Sequence, residues 1–290
     1  MAKTILTHSG SFQADDIFAV AILILAIGEA KVVRTRDKDQ IATADYVVDV
    51  GMLYDPTKNR FDHHQPGGAG QRPNGIPYAS CGLVWKKFGE KLAGGKEETE
   101  LIDTILMQPL DAHDNGVSIA DYRFENVRAY SIVDFLYSFL PSLHESEENL
   151  YRIFMELVTI AKELLAREIA KAKSLIIGEA KVREALETSP DKRILVLSEE
   201  LPWRRVLSNE PEVMFVVYPR NDGRWGVRAV QDTGYISRRP LPVAWAGKTG
   251  KDLEEITGVS DAIFCHRALF MVVAGTKKGA MALAEIALNA

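Results

Sequence analysis

The chain has 290 residues, 47% of them hydrophobic and 26% charged, with a formal net charge of -5. That is enough chain for one large globular domain or two ordinary ones, and its acidity argues against a protein that coats duplex DNA by neutralising many phosphates. A nucleic-acid substrate would have to be short or held by a local basic patch, and Cys81 and Cys265, outside any paired-cysteine motif, read as buried hydrophobes of a reducing compartment.

Residues 3–7 predict a short buried strand, and Ser11 is the expected cap of a helix that carries Asp15 and Asp16 in its first turn, where the helix dipole favours carboxylates. The uncharged run over 17–27 falls short of the ~20 residues needed to cross a bilayer, and aspartates precede it where a signal peptide would be basic. It reads as a buried helix. No membrane association and a cytoplasmic location are expected. Residues 31–35 and 46–50 are β-branched runs separated by charged residues, which predicts strands alternating with helices and a parallel sheet. Asp49 would then sit at the carboxyl end of its strand, where open α/β sheets place ligands.

Residues 59–63 read as a further strand, and 65–77, rich in Gly and Pro, as a loop able to lie over a site. Helices are expected over 80–92 and 97–110. His144 and the acidic residues Glu145, Glu147 and Glu148 read as a solvated helix start. From there Leu150, Phe154, Leu157, Ala161 and Leu165 begin a three-and-four spacing that predicts a long amphipathic helical stretch over 147–187, with a break at Gly178. Turn residues at 188–192 suggest a boundary. Beyond them 194–197, 213–218 and 225–230 read as strands, 240–242 as a Pro-rich connection and 278–288 as a last helix. The expectation is an α/β fold with a domain over 1–188, including the long linking helix, and a smaller α/β domain over 189–290.

The chemistry-bearing residues gather in the first half. Asp62 precedes the dipeptide His63-His64, downstream of His8, Asp15, Asp16 and Asp49. Imidazole and carboxylate suit divalent manganese, iron or zinc, and a carboxylate bridging two ions can build a centre that activates water. The indicated reaction is metal-assisted hydrolysis. Simpler readings stand beside this one: His8 at a strand end, Asp49 as a turn former ahead of Gly51, His63-His64 at a solvated hairpin end, and Asp62 holding a loop or orienting an imidazole. Asp111 and Asp114 compete for one role, with Asp111 preferred; His113 reads as non-catalytic. Arg238, Arg239, Arg267, Lys277 and Lys278 suit either surface charge or a phosphate-bearing substrate, to which the amino end of the last helix would add partial positive charge. No Gly-x-Ser-x-Gly elbow, Walker loop, Rossmann fingerprint or zinc-protease helix occurs.

Taken in order, Thr7-His8-Ser9-Gly10-Ser11-Phe12-Gln13-Ala14-Asp15-Asp16, Val48-Asp49-Val50-Gly51, Phe61-Asp62-His63-His64-Gln65, Ser80-Cys81-Gly82-Leu83-Val84-Trp85-Lys86 and Asp111-Ala112-His113-Asp114-Asn115-Gly116 resemble the DHH phosphoesterase superfamily. The nearer likeness is to its Myg branch of metal-dependent hydrolases and exonucleases. Arg239-Pro240-Leu241-Pro242-Val243-Ala244-Trp245 and Phe264-Cys265-His266 continue the likeness over nearly the whole chain.

The resemblance implies a DHH-like parallel-sheet catalytic domain and a smaller substrate-binding domain with the active-site cleft between them. It implies a phosphodiesterase or exonuclease acting on RNA or short oligonucleotides. Two divalent ions are implied, manganese foremost, with magnesium, iron and zinc as alternatives, and association into a homo-oligomer is compatible with it. Carried onto these residues, His8 and Asp49 hold the first ion, with Gln13 where the family has a histidine. Asp15, Asp49, His63 and Asp111 hold the second. Asp62 and His64 are the catalytic candidates, His64 facing the phosphate as donor or acid; His266, Arg267, Arg239 and Lys277 are the substrate-binding candidates. A glutamine amide is a weaker donor than imidazole for transition ions, so the first site is expected to be weak unless Asp16 compensates. The segment Val272-Val273-Ala274-Gly275-Thr276 also departs from the family's Gly-Gly-Asn element. Alternative activities are hydrolysis of small phosphoesters or pyrophosphate, or a metal-poor, non-catalytic binding role.

Overall fold

A computed structural model describes residues 2–142, 149–232 and 236–290. His144 and its acidic neighbours lie outside the described residues. The chain divides into two compact units, Met1–Lys173 and Ser174–Ala290.

In the first unit the elements run β1 (Lys3–Thr7), α1 (Ala14–Ile27), β2 (Ala30–Arg34), α2 (Lys38–Thr43), β3 (Tyr46–Val48), β4 (Tyr54–Asp55) and β5 (Arg60–Phe61). They build a five-stranded sheet of order β2-β1-β3-β5-β4. β1 pairs parallel with β2 and with β3, and β3 pairs parallel with β5, while β4 closes the edge antiparallel to β5. The chain steps from β1 outward to β2, then returns to the other side of β1 to form β3. The loops leaving β1 and β3 therefore diverge, which opens a crevice at the carboxyl ends of these two strands.

α1 is apolar around its circumference, with Ile17, Phe18, Val20, Ile22 and Leu23 fully buried, so it is a core helix. Its amino end differs from the sequence expectation. Gln13, not Ser11, precedes the first turn, and the Asp16 carboxylate accepts the Gln13 backbone N–H at 2.8 Å. Phe12 is buried against Phe154; anchoring the chain there leaves Ser11 exposed outside the helix.

Helix α3 (Ser80–Ala93) is followed by α4 (Lys96–Ile102), a widened π-helical turn over Asp103–Met107, and α5 (Gln108–Asp114). The helix expected to stop at residue 110 thus reaches Asp114, and both candidate aspartates lie on it. After α6 (Ile132–Tyr137) comes α7 (Leu150–Thr188). The expected break at Gly178 is absent. A Cβ at that position would fall 2.5 Å from Pro202 Cδ, so the missing side chain makes room for a proline against an intact helix.

In the second unit β6 (Ile194–Val196), α8 (Arg204–Leu207), β7 (Phe215–Pro219), β8 (Trp225–Ala229), α9 (Gly250–Thr257), β9 (Ala262–Cys265), β10 (Met271–Ala274) and α10 (Lys277–Asn289) follow. The sheet order is β6-β7-β8-β10-β9, with β6–β7 parallel and the remaining pairs antiparallel. α10 buries Ala280, Leu283, Ala284 and Ala287 against Phe215, Val217, Val227 and Val272. Among the described residues no helix is long and apolar enough to cross a membrane.

Candidate metal centre

His8 follows β1, Asp49 follows β3, and Asp62, His63 and His64 follow β5, so three adjacent parallel strands deliver these side chains from the same end of the sheet. Beyond β3 the Asp49 N–H still donates to the Phe61 carbonyl at 3.0 Å, and its backbone turns left-handed with φ 55. Aspartate is one of the few side chains that tolerates this region. The Asp49 carboxylate stands between histidines: Oδ2 lies 3.3 Å from His8 Nε2, and Oδ1 lies 3.5 Å from His63 Nε2 and 3.4 Å from His64 Nδ1. The Ser80 hydroxyl donates to Oδ1 at 3.3 Å.

The first turn of α1 supplies two more carboxylates. Asp16 Oδ2 lies 3.3 Å from His8 Nε2 and 3.9 Å from Arg34 Nη2. Asp15 accepts the backbone N–H groups of Ser80 at 2.9 Å and Cys81 at 2.6 Å, at the amino end of α3 where partial positive charge gathers. From α5, Asp114 Oδ2 reaches 3.0 Å from His63 Nε2. Asp111 is engaged otherwise: Arg72 Nη1 sits 2.7 Å from Oδ2, while the Gly82 N–H at 3.0 Å and the Cys81 thiol at 3.2 Å donate to Oδ1. Arg72 also grips Asp103 through Nε and Nη2 at 2.8 and 2.6 Å. Asp62 is an organiser, accepting from the His64 ring Nδ1 at 2.7 Å, the His64 backbone N–H at 3.0 Å and the Met52 N–H at 2.5 Å.

This concentration of carboxylates is electrostatically unresolved. Burial raises Asp16 to about 7, with His8 pulling the other way. Burial, then the charges of Asp49, Asp114 and Asp111, raise Asp15. Burial disfavours the charged form of His63, but the facing carboxylates of Asp114 and Asp49 outweigh it and raise the imidazole to about 11. His8 is raised in the same way, burial being outweighed by Asp49 and Asp16. Asp49 is lowered because His63 and His8 outweigh its burial. His8 Nε2, Asp16 Oδ2, Asp49 Oδ2 and His63 Nε2 are all buried without a hydrogen-bond partner, a costly state for polar atoms. Donor atoms of Asp49, His63 and His64, of Asp15, His63 and Asp114, and of Asp15, Cys81 and Asp111 lie within 4.8 Å of one another in each group. The mixed imidazole and carboxylate set fits a divalent cation, which would supply the missing partner.

Among the residues expected from sequence, His8, Asp15, Asp49, Asp62, His63 and His64 therefore come together. Gln13 lines a cavity beside His8 and Asp49, but the oxygens facing His8 Nε2 belong to Asp16 and Asp49. It is Asp114 that meets His63, while Asp111 meets Arg72. The Arg72 clamp was not anticipated; its one sequence sign is a lone cation in a Gly- and Pro-rich loop.

In the second unit the His266 ring accepts the Ala268 N–H at 3.1 Å and packs on Phe270 with ring centroids 4.4 Å apart. Arg267 is exposed, and Lys277 lies over the Trp225 ring. Arg239 donates to the Ala287 carbonyl at 3.2 Å. Arg238 binds Asp232 together with the carbonyls of Leu207 and Glu210. Both arginines thus fasten their own unit.

The chain is 30% identical to the MYG1 exonuclease of Homo sapiens, with 97% of this chain and 85% of that protein covered. It is 30% identical to a MYG1 protein of Schizosaccharomyces pombe, covering 98% and 97%, and 32% identical to a MYG1 protein of Dictyostelium discoideum, covering 99% and 96%. No solved structure matches the chain. The family model MYG1_exonuc, described as an uncharacterised protein family (UPF0160), matches residues 4–288, and across that span the chain belongs to the MYG1 family.

Proposed function

We propose that the protein is a metal-dependent phosphodiesterase of DHH type that shortens RNA or short oligonucleotides from an end, with manganese the best-suited ion. The observation that carries this reading is Asp49, whose two carboxylate oxygens face His8 on one side and His63 and His64 on the other. The exonuclease name of the human relative supports the same reaction class. His8, Asp16 and Asp49 would hold a first ion, and Asp15, Asp49, His63 and Asp114 a second. Divalent ions bound there supply a polarised water and Lewis-acid stabilisation of the phosphoryl oxygens.

The chain's own residues do the remaining work. Asp62 accepts the His64 Nδ1–H and so fixes the half-exposed ring, leaving Nε2 to present or receive a proton at the scissile phosphate. The Ser80 and Cys81 N–H groups keep Asp15 in one orientation. A metal-poor binding role is less favoured, because Asp16 brings an anionic oxygen to His8 and the weak amide of Gln13 is not required there. Incubating the protein with an end-labelled RNA oligomer and manganese is expected to give progressive shortening. Absence of shortening with manganese, magnesium, iron and zinc alike would overturn the reading.

A further inference from the structure

A cavity of about 550 Å³ borders the centre, with His8, Asp49 and His64 among its lining residues. That volume lies within the range of small-molecule pockets, roughly 300–1,000 Å³. The lining also carries two features that the metal chemistry leaves unexplained.

The first is a pair of cations. Arg36 and Lys38 line the cavity and are exposed. Among the described residues neither side chain forms an ion pair or hydrogen bond. Asp37, between them, accepts the Gln40 N–H at 2.9 Å to cap α2. Two uncommitted cations beside a cluster of carboxylates are suited to a ligand with negative charge of its own.

The second is an apolar wall of Ile41, Ala42, Val50 and Met52. Met52 is 57% exposed, and its backbone is held left-handed at φ 58. A non-glycine residue in that region is strained. The Asp62 carboxylate pins this conformation by accepting the Met52 N–H, and the same carboxylate fixes His64. A large polarisable side chain is therefore held out against water at a fixed distance along the chain from the catalytic ring, a surface suited to the face of an aromatic base.

Resting on the phosphodiesterase reading, we propose that this cavity seats the terminal nucleotide of the substrate. Its phosphate lies between Arg36 and Lys38, and its base lies against the wall that ends at Met52. The ligand class is a nucleoside monophosphate. A seat for one nucleotide beside the metal centre directs the enzyme to chain ends.

Binding of adenosine monophosphate, as the 5′ and the 3′ isomer, to the full-length protein is measured by calorimetry, with ribose 5-phosphate as the base-free control. At least one isomer is expected to bind, and the Arg36→Ala/Lys38→Ala double variant to bind it about tenfold or more weakly, a loss of about 1.4 kcal/mol or more. Met52→Ser is expected to weaken the nucleotide and leave ribose 5-phosphate unchanged. The proposal is overturned if neither isomer binds, if the double variant binds as the parent does, or if Met52→Ser affects both ligands equally. RNA shortening in the same preparations separates the two readings. Shortening without nucleotide binding rejects the seat alone, whereas binding without shortening rejects the phosphodiesterase alone.

Discussion

Asp114 Oδ2 lies 3.0 Å from His63 Nε2, while the carboxylate three residues earlier on the same helix is held by Arg72. The two aspartates should therefore fail differently. Asp114→Asn is expected to lose bound metal and reduce RNA hydrolysis by more than ~100-fold, beyond the usual effect of residues that merely support a ligand, with little change in thermal stability. Asp111→Asn removes one of the two carboxylates that hold the buried Arg72 guanidinium, which keeps Asp103, and is expected to destabilise by about 1–3 kcal/mol. Elemental analysis and melting curves of both variants check this, and the reverse pattern would restore Asp111 as the ligand.

The first ion should depend on Asp16 and not on Gln13. Asp16→Asn is expected to lower the bound metal per chain, and Gln13→Ala to leave it unchanged. Equal losses in both variants would return the amide to the ligand set.

Asp62 acts through His64. Asp62→Asn is expected to lower kcat by about 10–100-fold while metal content stays at the parent level. Because the two residues form one unit, the Asp62→Asn/His64→Ala double variant should be scarcely slower than His64→Ala. Multiplicative losses would show that they act independently.

Metal loading should release protons, and more of them in mild acid. Burial raises Asp16 to about 7, so below that pH the ion-free carboxyl is largely neutral and must ionise to bind a cation. Above it the carboxylate is already charged and contributes no proton. Titrating manganese into weakly buffered protein with a pH indicator, on either side of pH about 7, should show the larger release on the acid side. Equal release would mean that Asp16 does not meet the ion.

Gly82 is needed for the approach of α5. An added Cβ would lie 1.8 Å from Asp111 Oδ2. Gly82→Ala, which inside an exposed helix would be stabilising, is here expected to destabilise by about 1–3 kcal/mol through overpacking. Chemical denaturation gives the sign directly.

The strand ends that carry His8 and Asp49, the buried α1 and the α/β character could be read from residue pattern, because β-branched runs and apolar periodicity are local properties. What escaped depends on how elements dock. Asp15 and Asp16 are consecutive on α1, and no spacing says which of them turns toward His8 and which toward α3. The two-residue strand β4 is too short to show alternation, whereas β5 lies inside the run read as a strand over 59–63; β9 and β10, of four residues each, escape for a similar reason. Ser11 has good capping chemistry, yet burial of Phe12 moved the helix start. Gly178 looked like a breaker because the proline that needs its space lies well along the chain. Arg72 sits in a segment without periodicity, where only the folded loop reveals its partners.

The widened turn over Asp103–Met107 holds more residues per turn than the helices on either side of it. Each residue of an α-helix advances the azimuth by about 100°, so such a turn resets the angular phase of everything after it. Asp111 and Asp114, three apart, share that phase and swing together. Deleting one residue between 103 and 107 would rotate both carboxylates past their partners in a single stroke, parting Asp111 from Arg72 and Asp114 from His63 without altering any of those four side chains.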